Sequence, residues 1–294
     1  MTLRQLATFL EVARAGSVKG AAERLFVTQP AVSAVLASLQ RELEVDLVVR
    51  DGRGLRLSDA GRVLADYARR IHGMLDEAAT AATGVQGRGR LRLAGVTTAG
   101  EHLLPAAIAG YRELHAAAEV SLEVANRGRV WERLDAHEVD LVVAGRPPAA
   151  RLLRSRAVRP NQLVIVAAPG MAAAQTAAAL ARQTWLLRER GSGTRATTEE
   201  YLAALGIDPS TLTLGSNGAI REAAAVGLGI TLISSEAVEA ELADGRLVTI
   251  AAPDVPLRRE WHVVTRAEDR LPDSALQFLA YLVERCGFTP TQAE

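Results

Sequence analysis

The stretch Arg188-Glu189-Arg190-Gly191-Ser192-Gly193-Thr194-Arg195 combines glycines, hydroxyls and arginines ahead of a helical segment. Gly191 and Gly193 let a ligand approach the backbone, Ser192 and Thr194 offer hydroxyls, and a helix amino terminus presents unpaired N–H groups. With Arg188 and Arg195 beside them, the natural guest is a phosphate or a carboxylate. Alone, a glycine-serine turn serves equally as a plain capping loop, and the lysine and spacing of a Walker loop are absent. A second set of residues lies near the amino terminus. Thr28-Gln29-Pro30 opens a helix whose outward positions are Gln29, Ser33, Ala34 and Ala37, and Arg50, Arg53 and Arg56 flank the turn that follows. A glutamine reads a base edge, and arginines reach phosphates or a minor groove.

Other chemistry is excluded residue by residue. The histidines His72, His102, His115, His137 and His262 lie far apart, without metal-ligand spacing. His102 and His137 read as helix-surface residues, and Glu138 with Asp140 as solvation of a turn. Cys286, the single cysteine, permits no internal disulfide and reads as a small apolar residue on the last helix. No nucleophile motif or dinucleotide fingerprint is present, so neither an enzyme nor a bound cofactor is expected.

The positioning elements follow from periodicity. Leu3, Leu6, Leu10 and Ala13 make a first helix stopped at Gly16, Ser17 caps a second through Leu25, and Ala21 with Ala22 let another helix pack close. Thr28 caps a third helix with Pro30 in its first turn and Val32, Leu36, Leu39 and Leu43 as its buried stripe. Val45 to Val49 and Leu55 to Leu57, joined by Asp51-Gly52-Arg53-Gly54, form a two-stranded wing. This pattern alone also fits a helical dimerisation module with a hairpin. From Ser58, Leu64, Tyr67, Ile71, Met74, Ala78, Ala81 and Val85 alternate steps of three and four, a heptad seam needing a partner, most simply a second copy. Packing on the chain's own carboxy-terminal half is the alternative. Gly84, Gly87 and Gly89 mark a boundary.

Beyond it, Leu91–Val96, Val120–Val124, Leu141–Ala144, Leu163–Ala167, Trp185–Leu187, Ile230–Ile233 and Trp261–Val264 alternate with helical segments, which predicts an α/β module with parallel sheets. Such sheets place ligands after the carboxyl ends of strands. Thr97, Thr98, Asn126, Arg146, Arg188, Ser192, Thr194 and Arg195 all lie there and are the candidate effector contacts. The arginines could instead pair with Glu189, Glu199 or Glu222 and hold the module together.

At 294 residues the chain exceeds one hydrophobic core, and 34 basic against 34 acidic side chains exclude a wholly basic nucleic-acid coat. Residues 1–90 nevertheless carry a net charge of +3. No apolar stretch reaches membrane-helix length and no signal-peptide order is seen, so a cytoplasmic protein with no membrane contact is expected.

Residues 1–66, with Phe9, Ser17, Ala21-Ala22-Glu23-Arg24-Leu25, Thr28-Gln29-Pro30-Ala31-Val32-Ser33, Leu39, Leu43, Arg50 and Leu57-Ser58-Asp59-Ala60-Gly61, resemble the DNA-binding domain of LysR-type transcriptional regulators. Leu91 to Phe288 resembles their effector domain, a two-lobed fold similar to periplasmic solute-binding proteins. Glu138-Val139-Asp140-Leu141, Gly145-Arg146-Pro147-Pro148, the 188–195 segment and Gly227-Leu228-Gly229-Ile230 look like the branch regulating Calvin-cycle carbon-fixation operons, with cysteine-metabolism regulators as near relatives. The resemblance implies a winged helix-turn-helix over 1–57, a dimerising linker helix over 58–89, and an effector domain over 90–294. Lobe I is then 90–160 with 266–294, lobe II is 161–265, and two crossing strands make the hinge.

It also implies double-stranded DNA as partner, a homodimer or homotetramer, and a small anionic, phosphorylated or nicotinamide-nucleotide effector between the lobes. The same fold acting constitutively, or a regulator of sulfur metabolism, is the alternative. The resemblance places Gln29, Pro30 and Ser33 in the major groove and Arg53 at the minor groove beside it. Phosphate contacts are then left to Thr28, Arg41, Arg50, Arg53 and the helix amino termini, and Ser17 is a further candidate DNA contact. Ala34, Val35 and Ala37 depart from the family pattern, where relatives carry polar groups, so Gln29 is the one strong direct reader. Ser234 and Ser235, where many relatives have proline, are a departure shared with the carbon-fixation branch.

Overall fold

The first helix, α1 (Leu3–Ala15), opens on a reciprocal cap: Thr2 Oγ1 accepts the Gln5 N–H and Gln5 Oε1 accepts the Thr2 N–H. Gly16 ends it with φ +62°. Ser17 Oγ accepts the Gly20 N–H at 3.0 Å and starts α2 (Val18–Leu25). Ala21 and Ala22 are buried and small enough to bring α1 and α3 (Gln29–Leu43) together over Phe9, Val12, Val32, Leu36 and Leu39. Thr28 occupies the cap position of α3 but its side chain makes no capping bond, unlike the sequence expectation, and Leu43 is only half-buried.

The wing is β1 (Val48–Asp51) antiparallel to β2 (Gly54–Leu57). It starts later than Val45, because Gln40 Oε1 draws the Leu47 and Val48 N–H groups back onto α3. Ser58 Oγ donates to Asp46 O at 2.6 Å and accepts from Gly61 N at 2.9 Å, while the Ser58 N–H donates to Leu47 O. That knot joins wing and α4 (Asp59–Thr83) so closely that a Cβ on Gly61 would lie 1.9 Å from Leu47 O.

Along α4 the apolar residues divide. Leu64 packs on the three-helix core, whereas Val63, Tyr67, Met74 and Leu75 stay exposed, Ala78 is exposed and Ile71 is half-buried. Leu64 is therefore taken up by the core and does not contribute to the free seam. The Ala81 side chain and Val85 lie outside the described residues, which are 1–52, 54–83, 90–149, 152–171, 176–267 and 271–291 of a computed structural model. The chain forms two compact units, Met1–Gly87 with Asp135–Glu138, and Arg88–Leu134 with Val139–Glu294.

In the second unit β3 (Arg90–Val96) runs parallel to β4 (Glu119–Ala125) and β5 (Leu141–Ala144), with α5 (Leu104–Leu114) and α6 (Arg127–Asp135) between. The long strands β6 (Leu153–Ala167) and β11 (Leu257–Arg266) pair antiparallel and join two lobes. Within lobe II, α7 (Ala177–Leu180) leads to β7 (Trp185–Arg188), α8 (Gly193–Ala204), β8 (Thr211–Leu214), α9 (Asn217–Ala225), β9 (Thr231–Ser234), α10 (Glu239–Ala243) and β10 (Val248–Ile250). β7 and β8 are parallel, while β9 and β10 pair antiparallel with β6. The sheet is thus mixed rather than wholly parallel, because a strand leaving lobe I and one returning to it must run in opposite senses. α11 (Asp273–Arg285) and β12 (Thr289–Pro290) close lobe I.

The hinge falls where the cores change. Ala157, Trp261 and Val263 belong to one lobe-I core and Val264 to another, whereas Leu163, Ile165 and Leu257 pack in lobe II. The return crossing therefore lies before Trp261, upstream of the expected 265/266 boundary, opposite Pro160, which pairs with Glu260.

Gly61→Ala should cost the first unit about 1–3 kcal/mol or more, since the clashing atom is backbone. Trp131, Trp185 and Trp261, the protein's tryptophans, all lie in the second unit. Hydrogen exchange should then show lost protection across α1–α3, with the tryptophan fluorescence transition in urea unchanged.

Candidate functional site

Two surfaces gather the candidate residues. On the first unit, Thr28, Gln29, Pro30 and Ser33 are exposed together on the first turns of α3, with Ala31, Ala34 and Ala37 continuing the same solvent face. Gln40, by contrast, is committed to the wing. Ser17 uses its oxygen as the α2 cap, Arg41 Nε returns to Ala37 O at 3.3 Å, and Arg50 is exposed on β1. Arg53 lies outside the described residues.

In the second unit, the crossing strands leave a cleft of about 1010 Å³ between the lobes. Thr97 and Thr98 after β3, Asn126 after β4, Arg146 after β5, Arg188 at the end of β7, and Ser192 and Thr194 at the start of α8 all line it. The strand ends bring these residues together from far apart in sequence. Ser192 Oγ caps α8, accepting the Arg195 N–H at 3.4 Å, and Gly191 reaches φ +90° beside the Asn126 amide. Asn126 Oδ1 itself caps α6 through the Arg129 N–H.

Arg195 does not join them. Its guanidinium turns along α8 to Glu199 at 2.7 Å, to the Arg188 carbonyl and to Thr213 Oγ1. Arg188 is lining but already neutralised: it is 5 % exposed and holds Glu189 in two hydrogen bonds of 2.8 and 3.0 Å. The pairing of arginines with Glu189 and Glu199 weighed from the sequence is present, whereas Glu222 pairs with Arg246 instead.

Arg188 also bridges the lobes, donating to Thr97 Oγ1 at 3.3 Å and to the Asn217 Oδ1 at the start of α9. Asn217, buried at 1 % exposure, donates in turn to Thr98 Oγ1 at 3.1 Å and Glu101 at 3.5 Å. Nothing about Asn217 in sequence separates it from an ordinary residue after a serine cap.

Sequence reasoning also passed over Arg127, whose guanidinium donates to the Arg146 carbonyl at 3.0 Å, and the cleft face of β11. There Arg259 donates to Thr197 Oγ1, Trp261 Nε1 to Glu236, and His262 Nδ1 meets Ser155 Oγ at 2.9 Å. Burial, helped by Arg146, holds His262 below its ordinary pKa against the opposing pull of Glu260, which favours a neutral ring at the hinge. Arg127, Arg146, Arg258 and Arg259 have no carboxylate within ion-pair distance among the described residues, whereas of the lining carboxylates Glu189 and Glu236 are paired with arginines and Glu260 faces only His262. The unmatched charge of the cleft is net positive. Among the described residues no cluster of ligands could hold a metal, and no helix is long and apolar enough to cross a membrane.

Residues 3–62 match the bacterial regulatory helix-turn-helix protein model of the LysR family, and residues 85–287 match the LysR substrate binding domain. The chain belongs to the LysR family of transcriptional regulators. It is 34 % identical to a RuBisCO operon transcriptional regulator of Allochromatium vinosum, over 98 % of this chain and 97 % of that protein. The CcmR regulatory domain of Synechocystis PCC6803, solved in complex with 2-PG, is 32 % identical over 66 % of this chain and 96 % of the domain, with a TM-score of 0.63. Full-length OxyR from Pseudomonas aeruginosa shares the fold at a TM-score of 0.71 and 21 % identity, covering 100 % and 99 % of the two chains.

Asn217→Ala removes the link between Arg188 and Thr98 and strips a buried guanidinium of one acceptor. It should lower the stability of the second unit by on the order of 1–3 kcal/mol, read as an earlier urea midpoint by tryptophan fluorescence.

Proposed function

We propose that this regulator is switched by a small phosphorylated metabolite seated in the interlobe cleft. The observation that carries the reading is the first turn of α8, Gly193 and Thr194, sharing the cleft with Arg127 and Arg146, which have no carboxylate to neutralise them. Helix N–H groups and unpaired guanidiniums together favour an anion with several acceptor oxygens. The 2-phosphoglycolate bound by the Synechocystis regulatory domain is of that class. In this reading Thr97, Thr98, Asn126, Ser192 and Thr194 supply neutral hydrogen bonds and Arg146 supplies charge. Arg188 positions the lobes, its own charge being answered by Glu189. A ligand switches the protein only by binding one lobe arrangement better than the other.

The output side of the proposal is a homodimer, or a tetramer built from it, acting on double-stranded DNA in the cytoplasm. Gln29, Pro30 and Ser33 read the major groove, Ser17, Thr28, Arg41 and Arg50 contact the backbone, and Arg53 reaches the adjacent minor groove. Val63, Tyr67, Met74 and Leu75 of α4 form the exposed apolar stripe that a second copy covers. No enzymatic activity is assigned.

Calorimetry with 2-phosphoglycolate, phosphoenolpyruvate, sugar bisphosphates, nicotinamide nucleotides, sulfate and acetylated serine tests the effector. A phosphorylated compound should bind, and Arg146→Ala should weaken it at least about 10-fold, the scale of one charge-assisted contact. Binding indifferent to Arg146→Ala would move the site elsewhere, and no binding at all would favour a constitutive regulator. For the dimer, Met74→Asp should place a charge in the seam and shift light scattering toward the monomer. An unchanged oligomer of the folded variant would reject the α4 interface.

A further inference from the structure

The turn between α2 and α3 carries a residue its backbone does not favour. The Val27 N–H donates to Ala22 O at 3.0 Å and the Phe26 N–H to Glu23 O at 3.3 Å, the pair of bonds that closes a helix through a left-handed residue. That residue is Phe26, at φ +54° and ψ +42°. Glycine or asparagine suits this conformation, and a bulky side chain there is an outlier. The Phe26 side chain is 95 % exposed, so no packing within the fold offsets either the backbone cost or the apolar surface shown to water. An outlier of this kind points to a use outside the fold.

Its surroundings say which use. Phe26 and the 40 % exposed Val27 lead directly into Gln29 and Pro30, and the solvent face of α3 continues through Ala31, Ala34 and Ala37. Between Thr28 and Gln40 there is no charged side chain, so hydrogen-bonded base reading is confined to very few groups. Apolar side chains read the major groove through the thymine C5 methyl, the one apolar group that the base edges display there.

We propose that Phe26, with the apolar row of α3, docks on double-stranded DNA and reads thymine methyl groups, so that part of operator choice is made by van der Waals contact. The inference rests on the DNA-binding reading and deepens it. Removing the ring should leave the fold intact, since a glycine at this position is relieved of conformational strain.

The test uses full-length protein and duplexes it enriches from a random pool, resynthesised with uracil for thymine one position at a time. Uracil removes the methyl and keeps the pairing edges. At one or two positions wild-type binding should weaken about 3–10-fold, the scale of burying one methyl group. Phe26→Gly and Phe26→Asn should bind the thymine duplex about as weakly as wild type binds the uracil one, and lose the thymine preference at those positions. Both should melt at the wild-type temperature or higher, which separates lost contact from lost structure. Equal wild-type binding to thymine and uracil everywhere, or full discrimination retained by Phe26→Gly, overturns the proposal. Normal DNA binding by Phe26→Gly with lost transcriptional output overturns it in favour of a protein partner on the same patch. If wild type enriches no sequence at all, the DNA-binding reading itself falls and the inference with it.

Discussion

A guanidinium taken out of water must be answered by acceptors, and the burial of Arg188 organises the cleft around it. Its neighbour Glu189 supplies the charge, Asn217 and Thr97 supply neutral oxygens, and Asn217 extends the link to Thr98 and Glu101. Thr97 and Thr98 end a strand of one lobe, whereas Arg188 and Asn217 belong to the other. The same network that satisfies the buried charge therefore sets how the two strand ends face each other, and with them the start of α8.

That arrangement divides labour among the arginines. Of the three arginines flanking the glycine-serine turn, Arg188 and Arg195 are spent on carboxylates, Glu189 and Glu199, and Arg190 is exposed. The charge still available to a ligand sits on Arg127 and Arg146 of lobe I and on Arg258 and Arg259 of β11. An anion drawn to the α8 amino terminus would meet donors from both lobes and the hinge. A ligand contacting all three favours the geometry in which they converge, which is the differential affinity that a switch requires.

In the amino-terminal unit, much of the signature is architecture rather than recognition. Ser58 and Gly61 tie the wing to α4 through Asp46 and Leu47, Ala21 and Ala22 allow helices to close, and Gln40 holds the wing's first strand. The candidate DNA contacts that remain free of such duties are few and mostly neutral. The consequence is an exposed α3 face that is apolar through Ala31, Ala34 and Ala37, beside a phenylalanine held outward in a left-handed turn.

Sequence by itself determined what depends on near neighbours along the chain. The Ser17 cap, the Gly16 stop, Pro30 in the first turn of α3, the buried stripe of Val32, Leu36 and Leu39, and the α/β alternation are governed by spacing and local backbone preference. The polar residues after β3, β4, β5 and β7 were legible for the same reason, because strand ends can be located from hydrophobic runs. Tertiary structure decided the rest. Ser192 and Thr194 line the cleft while Arg195 runs along α8 to Glu199, since each helical step turns a side chain by about 100° and only the packed neighbours say which turn faces a cavity. Leu64 left the heptad seam for the three-helix core, β11 entered lobe I before Trp261, and Asn217 became the bridge. Each of those outcomes depends on contacts between residues distant in sequence, and burial is a property of the space they enclose, which spacing along one chain does not encode.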